Sequence, residues 1–164
     1  MLSFVSLPRE FVVRRATSAD ARAILDVLAV AFEPYRAQYS SQAFLDTVLT
    51  AETIAQRMET MRAFIAVAGN AIIGTIACAA IDAKEGHLRG MAVLPGWQGK
   101  GVAESLLQQA EDDLARAGCS RVTLDTTEPL QRAMRFYERH GYRRSGKTSD
   151  FFGMTLHEYV KELR

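Results

Sequence analysis

Cysteine, proline and tryptophan are scarce in this 164-residue chain, which has two Cys, four Pro and one Trp. The two thiols, Cys78 and Cys119, sit in apolar or element-edge contexts and read as buried free cysteines rather than a disulfide framework. The three histidines, His87, His140 and His157, show no metal-ligand spacing, so no metal is expected. Excess charge is also missing: 20 Lys and Arg against 19 Asp and Glu leave a net charge of +1, with no field that argues for nucleic acid or an anionic membrane. No apolar run approaches the roughly 20 residues of a membrane span. Met1 to Phe11 lacks a basic stretch followed by a proper hydrophobic segment and does not read as a signal peptide. A cytoplasmic protein with no nucleic-acid and no membrane partner is therefore expected.

What is present is ordinary globular material, 48% hydrophobic and 24% charged, in a length that suits one domain over 1–164. Residues 1–10 are expected to form a loosely ordered N-terminal segment. Periodicity then gives the elements. Phe11 to Ala16 is a short β-rich run, Ala21 to Phe32 a helix stopped by Pro34, and Ser40 to Arg62 further helix. Between the helices, Phe32, Glu33, Tyr35 and Tyr39 form an aromatic and acidic patch that reads first as packing under a helix corner. Ala63 to Ala68 and Ala71 to Ile81 flank Gly69-Asn70 as a hairpin, and Leu88 to Leu94 is the next strand. A long amphipathic helix runs to Gly118. The strand Arg121 to Asp125, a helix Leu130 to Arg139 and a final strand Phe152 to Val160 complete an α+β chain with one sheet and helices on both faces.

The stretch of greatest chemical content is Gln98-Gly99-Lys100-Gly101-Val102-Ala103, between the Leu88 to Leu94 strand and the long helix. Nearly free of side chains, it lets backbone N–H groups close on a ligand. The unpaired amides and positive dipole end of the helix it opens suit a phosphate. A Walker loop fails here, because Lys100 is followed by Gly101 and the required first glycine falls on Leu94. A Rossmann fingerprint, Gly99-x-Gly101-x-x-Glu104 with Asp125 as ribose-binding acid, fits in part. Against it, Glu104 stands where Gly or Ala is needed, and Pro95-Gly96-Trp97 separates the strand from the glycines.

Gln98, Gly101 and Ala103 satisfy Gln/Arg-x-x-Gly-x-Gly/Ala, which resembles the acetyl-CoA pyrophosphate loop of the GNAT superfamily of N-acetyltransferases. A second motif, Ala133-x-x-x-Tyr137-x-x-x-Gly141-Tyr142, resembles that family's late helix. Asp150-Phe151-Phe152-Gly153-Met154 resembles its last strands. The resemblance runs from about Phe11 onward. It implies an α/β three-layer arrangement around a mixed, mostly antiparallel central sheet.

The same resemblance implies roles. Met91, Ala92 and Val93 would pair with the pantetheine arm of acetyl-CoA, and Gln98, Gly99, Lys100, Gly101, Val102 and Ala103 would hold its pyrophosphate. The implied reaction is direct attack of a primary amine on the acetyl carbonyl in a ternary complex. The Val93 N–H polarises that carbonyl, Tyr137 serves as general acid for the thiolate, and Glu85 or His87 is the candidate base. Surface turn residues are the competing reading of Glu85 and His87, and a water relay is an alternative to both. Leu130 stands where many relatives carry an Asn, and Thr126 and Thr127 could substitute for it. Cys119, beyond the helix end at Gly118, is not expected to act as a nucleophile. The acceptor is a small-molecule amine or a peptide N-terminus, with its pocket between Phe32 to Leu49 and the loop near Ser149 to Phe152. A homodimer is common in the family. The rival function is a CoA-binding sensor without turnover.

Overall fold

The computed structural model describes residues 10–164, so the expected loose segment 1–10 lies, except for Glu10, outside the described residues. Seven strands form one sheet in the order β1-β2-β3-β4-β5-β7-β6. They are β1 (Val12–Arg15), β2 (Arg62–Ala68), β3 (Ala71–Ala80), β4 (Glu85–Val93), β5 (Arg121–Thr127), β6 (Arg143–Phe151) and β7 (Met154–Glu162). All neighbours are antiparallel except β4 and β5.

Helices α1 (Ala21–Phe32), α2 (Ser41–Val48) and α3 (Ala51–Thr60) supply Ile24, Leu28, Phe44, Val48 and Ile54 to a core with Ala63, Ile65 and Ala92 of the sheet. Helices α4 (Val102–Arg116) and α5 (Gln131–Arg139) bury Leu106, Leu107, Leu114, Met134 and Tyr137 on the opposite face. Contact with α4 is close: a Cβ added at Gly86 of β4 would meet Leu114 at 2.7 Å. The helix ends in a Schellman arrangement, in which Cys119 N–H donates to Leu114 O and Gly118 N–H to Ala115 O, both at 3.0 Å.

Two elements differ from the sequence expectation. The helix expected over Ser40 to Arg62 is two helices. Leu49 takes φ 66°, ψ 168°, a region worth of order 1–3 kcal/mol of strain in a non-glycine residue. Its side chain is buried in return, and Thr50 and Thr53 restart the chain as a reciprocal capping pair. The second difference is β6, which the sequence reading passed over; the final strand runs Met154–Glu162 rather than Phe152 to Val160. β6 is an edge strand with polar residues almost throughout, so it carries little hydrophobic alternation. Phe152 and Gly153, at φ 49° and 88°, form the two-residue turn that joins it to β7.

Candidate active site

The site begins where two strands part. β4 pairs with β5 only over Glu85–His87, matched to Arg121–Thr123. Beyond His87 the β5 side of β4 is open onto a cavity of about 590 Å³. Within β4 the register with β3 slips: Thr75 faces Ala92 while Ala77 faces Arg89, so two β4 residues, Gly90 and Met91, lie opposite Ile76. This is a β-bulge, and Gly90 supplies the left-handed φ of 64° that it needs. Leu94 N–H donates back to Ile73 O at 2.9 Å. By strand alternation Met91 and Val93 therefore turn their main-chain groups to the open edge. The Val93 carbonyl there accepts from Gln98 Nε2 at 3.4 Å, and Gln98 Oε1 accepts from Arg132 Nη1 at 2.6 Å. The helix α5 is thus tied to the edge of β4 through one glutamine.

At its far end the cavity meets the glycine turn. Gly99 (φ 76°) and Gly101 (φ 84°) are left-handed, and a Cβ on either would point into open space. Gly101 is the residue before the first turn of α4 and no side chain caps it. The first-turn amides are therefore left for an anion. Gln98, Gly99, Gly101, Val102 and Ala103 all line the cavity, as do Met91, Ala92 and Val93. Lys100 does not. Its Nζ lies 5.1 Å over the Trp97 ring and 3.9 Å from Glu10.

Tyr137 lines the same cavity from α5, with Phe136 and Tyr142 packed edge-on against its ring. Burial alone pushes its phenol well above the ordinary value near 10, and its hydroxyl makes no hydrogen bond among the described residues. Leu130 is also a lining residue. Nearby, Thr126 Oγ1 is buried without a partner, and Thr127 Oγ1 is 2.6 Å from the Tyr39 hydroxyl. An orphaned buried hydroxyl beside an open strand edge suits a polar, extended ligand arm.

Of the two base candidates, only His87 lines the cavity. Glu85 lies at the start of β4 and pairs with Arg121 at 3.4 Å. His87 Nδ1 is 2.8 Å from Thr123 Oγ1, and that hydroxyl donates to Gly86 O at 3.4 Å. The Thr123 hydroxyl thus holds the imidazole through Nδ1 and leaves Nε2 turned toward Asp125. Asp125 Oδ2 lies 3.7 Å from that nitrogen. Burial lowers the His87 pKa below 6.5 against the attraction of Asp125, while burial raises that of Asp125 and Glu158 adds to the rise. Arg89 adds to the lowering of His87 and opposes the rise of Asp125, while Glu158 and Glu85 favour the imidazolium. Near neutral pH the arrangement presents a neutral imidazole nitrogen beside a carboxylate.

Phe32, Tyr35 and Tyr39, read first as packing, line the cavity with Asp46, Thr47 and Phe151, all within the segments between which the acceptor pocket is expected, whereas Arg57 and Arg89 lie outside them. Ser40 Oγ donates to Phe152 O at 2.8 Å, joining the start of α2 to the β6–β7 turn. The two cysteines are free and buried; burial raises both thiols, Cys78 to about 12, which leaves neither a ready nucleophile. Among the described residues, no group of three or more His, Cys, Asp or Glu is placed to hold a metal, and no helix is long and apolar enough to cross a membrane.

The chain belongs to the acetyltransferase (GNAT) family, whose model matches residues 22–142. It is 31% identical over 85 residues to N-alpha-acetyltransferase 30 of Schizosaccharomyces pombe, covering 49% of this chain and 57% of that protein. It is 30% identical over 105 residues to an uncharacterized N-acetyltransferase of Mycobacterium bovis, covering 63% of this chain and 67% of that one. The chain thus spans little more than half of the first relative and two thirds of the second. Its fold is also that of the PaiA N-acetyltransferase of Thermoplasma acidophilum, a structure in complex with coenzyme A, with TM-score 0.75 and 17% identity over 93% of this chain and 98% of that one.

Proposed function

We propose that this protein transfers an acetyl group from acetyl-CoA to a primary amine by direct attack in a ternary complex. The observation that carries the reading is the open edge of β4: main chain at Met91 and Val93 that no strand pairs on the β5 side leads to the left-handed Gly99 and Gly101 and the uncapped start of α4. An extended polar arm fits the first and its pyrophosphate the second. The coenzyme A in the Thermoplasma neighbour supports this ligand class, and the N-alpha-acetyltransferase relatives support an amine acceptor.

His87 is the residue best placed to take the amine proton, because burial favours its neutral form and it lines the cavity with Nε2 3.7 Å from Asp125. Asp125 holds the incoming ammonium and then steadies the imidazolium. Val93 N–H supports the acetyl oxygen. Tyr137, protonated throughout the neutral range, donates to the departing sulfur.

Two measurements on the same protein test the reading. Acetyl-CoA is expected to raise the melting temperature, and a panel of primary amines is expected to release free thiol in its presence. Stabilisation by acetyl-CoA with no thiol release for any amine would replace the enzyme by a CoA-binding sensor. Stabilisation by NAD but not by acetyl-CoA would overturn both.

A further inference from the structure

Besides His87 and Asp125, the cavity wall away from the glycine turn carries the guanidiniums of Arg57 and Arg89 and the carboxylate of Asp46. Arg89 of β4 is 3.3 Å from Asp46 of α2. The Arg57 side chain of α3 makes no hydrogen bond or ion pair among the described residues, although it is partly buried and lines the cavity. Its place is fixed by Gly90, where an added Cβ would lie 3.0 Å from Arg57 Nη1. The guanidinium therefore packs against the bulge in β4, one residue beyond Arg89 and three beyond His87. Both arginines line the cavity. With Asp46 engaged by Arg89 and Asp125 set against His87, the Arg57 guanidinium is left without a carboxylate partner among the described residues, in a partly desolvated wall.

Uncompensated cations in such a position are costly, and burial together with the Arg89 charge lowers Arg57 to about 10. It remains protonated at neutral pH, so its unpaired charge persists. A planar guanidinium with free N–H groups is matched geometrically by a carboxylate. His87 and Arg89 are two residues apart on one strand, about 7 Å of rise. Long arginine side chains can shorten that gap. An amine at His87 and an anion at the arginines therefore belong to one small molecule, or to the first residues of one peptide.

We propose that the acceptor is an amine that also carries a carboxylate, which Arg57 and Arg89 bind while the amine lies against His87 and Asp125. The proposal rests on the acetyltransferase reading for the role of the amine, but its anion site can be tested apart from turnover. It also disfavours polyamines, whose second cation would be pushed against the two arginines. The CoA pyrophosphate is a poor alternative occupant, because Gly90 and the glycine turn are separated by the C-terminal end of β4 and the Leu94–Gln98 connection.

The test compares free L-amino acids with their α-amides as acceptors, with spermidine as a cationic control and peptide pairs that differ only in Glu or Gln at the second position. Wild-type kcat/KM is expected to favour acid over amide by about tenfold or more, the scale of a charge-assisted hydrogen bond. In Arg57→Met and in Arg89→Gln that ratio should fall to within threefold. A preference confined to the Glu peptides would place the carboxylate on a peptide acceptor, and one confined to free amino acids on a small molecule. Equal use of acid and amide, a preference for spermidine, or an unchanged ratio in both variants would overturn the proposal. A loss of acetyl-CoA affinity without a change in that ratio would overturn it too, by giving the arginines to the cofactor. If no amine of any kind releases thiol, the acetyltransferase reading has failed on its own account. Calorimetric titration of the same acids and amides into CoA-saturated protein then decides the anion site. Acids should bind more tightly than amides in wild type and lose that advantage in Arg57→Met. Equal binding, or no binding of any acid, would overturn it.

Discussion

At the glycine-turn end the cavity wall is mostly main chain: the open edge of β4 from Met91 to Val93, the left-handed Gly99 and Gly101, and the first turn of α4. At the opposite end the wall is side chains drawn from separate elements, among them Tyr35, Tyr39, Asp46, Arg57, His87, Arg89 and Asp125. A wall of amides needs a short contiguous stretch with room for the ligand to approach, and such a stretch has a fixed spacing. A wall of side chains can be assembled from any residues that the fold brings together, so it can vary without disturbing the sheet. The first end suits a common ligand and the second a particular one. Tyr137 stands on α5, outside both sets, and lines the cavity between them.

The sharpest way to break that division is at Tyr137. Its hydroxyl has no partner among the described residues whose loss would destabilise the fold, and its ring keeps its contacts with Phe136 and Tyr142 on substitution by Phe. Tyr137→Phe is expected to lower turnover roughly 10²- to 10⁴-fold, the usual contribution of a positioned acid. Acetyl-CoA affinity and melting temperature should change little. Turnover within threefold of wild type would leave the tyrosine as packing.

Next in size is the main-chain end itself. Gly101→Glu puts a carboxylate where an anion is to be bound, and like charges so placed cost several kcal/mol, so the acetyl-CoA Kd should rise roughly a hundredfold or more. Because no heavy atom lies within 4 Å of the added Cβ, the folding cost is confined to the φ of 84°. Gly101→Ala separates the two effects, since it carries the backbone strain without the charge. If both variants weaken acetyl-CoA equally, backbone conformation and not anion repulsion governs the turn.

At the side-chain end the corresponding change is His87→Gln. His87 has a folded pKa below 6.5, so its neutral form predominates above that value, and kcat/KM should rise with pH through an acid limb below about 6.5. Replacement should lower turnover about a hundredfold and abolish that limb while leaving acetyl-CoA affinity unchanged. Glu85→Gln, which removes the partner of Arg121 outside the cavity, should keep the limb. Loss of the limb in Glu85→Gln with its retention in His87→Gln would reverse the two roles.

The same contrast explains what could be read from the chain alone. The strands β2 to β5 and helices α1, α4 and α5 carry one-sided apolar periodicity, and the glycine turn carries a fixed spacing, so their identity was plain. β6 was hidden because an exposed edge strand, Arg143–Phe151, needs no apolar face. The break at Leu49 was hidden because a buried leucine in a strained conformation looks in sequence like one more helical contact. Arg57 and Arg89 carried no signal at all: arginines on a helix and a strand ordinarily face solvent. Their meaning appears only when α3 is laid over the β4 bulge. Asp125 was noticed only as an acid that a ribose would use, and Tyr39 only within a segment that packs or borders the acceptor, because nothing local reveals that the one approaches His87 and the other Thr127.

The smallest effect expected is at Lys100, the one charged residue of the glycine turn. Its amine is half exposed, lies over Trp97 and sits 3.9 Å from Glu10, and the residue is not part of the cavity wall. A solvated cation near an anion contributes about 1 kcal/mol or less, because water screens it and its own side-chain freedom must be given up. Lys100→Ala is therefore expected to weaken acetyl-CoA by no more than about fivefold at low salt. The difference from wild type should shrink as ionic strength shortens the screening length from about 30 Å at 0.01 M to about 8 Å at 0.15 M. Main-chain amides buried under a ligand have no such dependence, so the salt series separates the two contributions within one turn. A loss comparable to that of Gly101→Glu, or one that persists undiminished in salt, would mean that the lysine moves onto the ligand and that this end of the cavity is not a main-chain site alone.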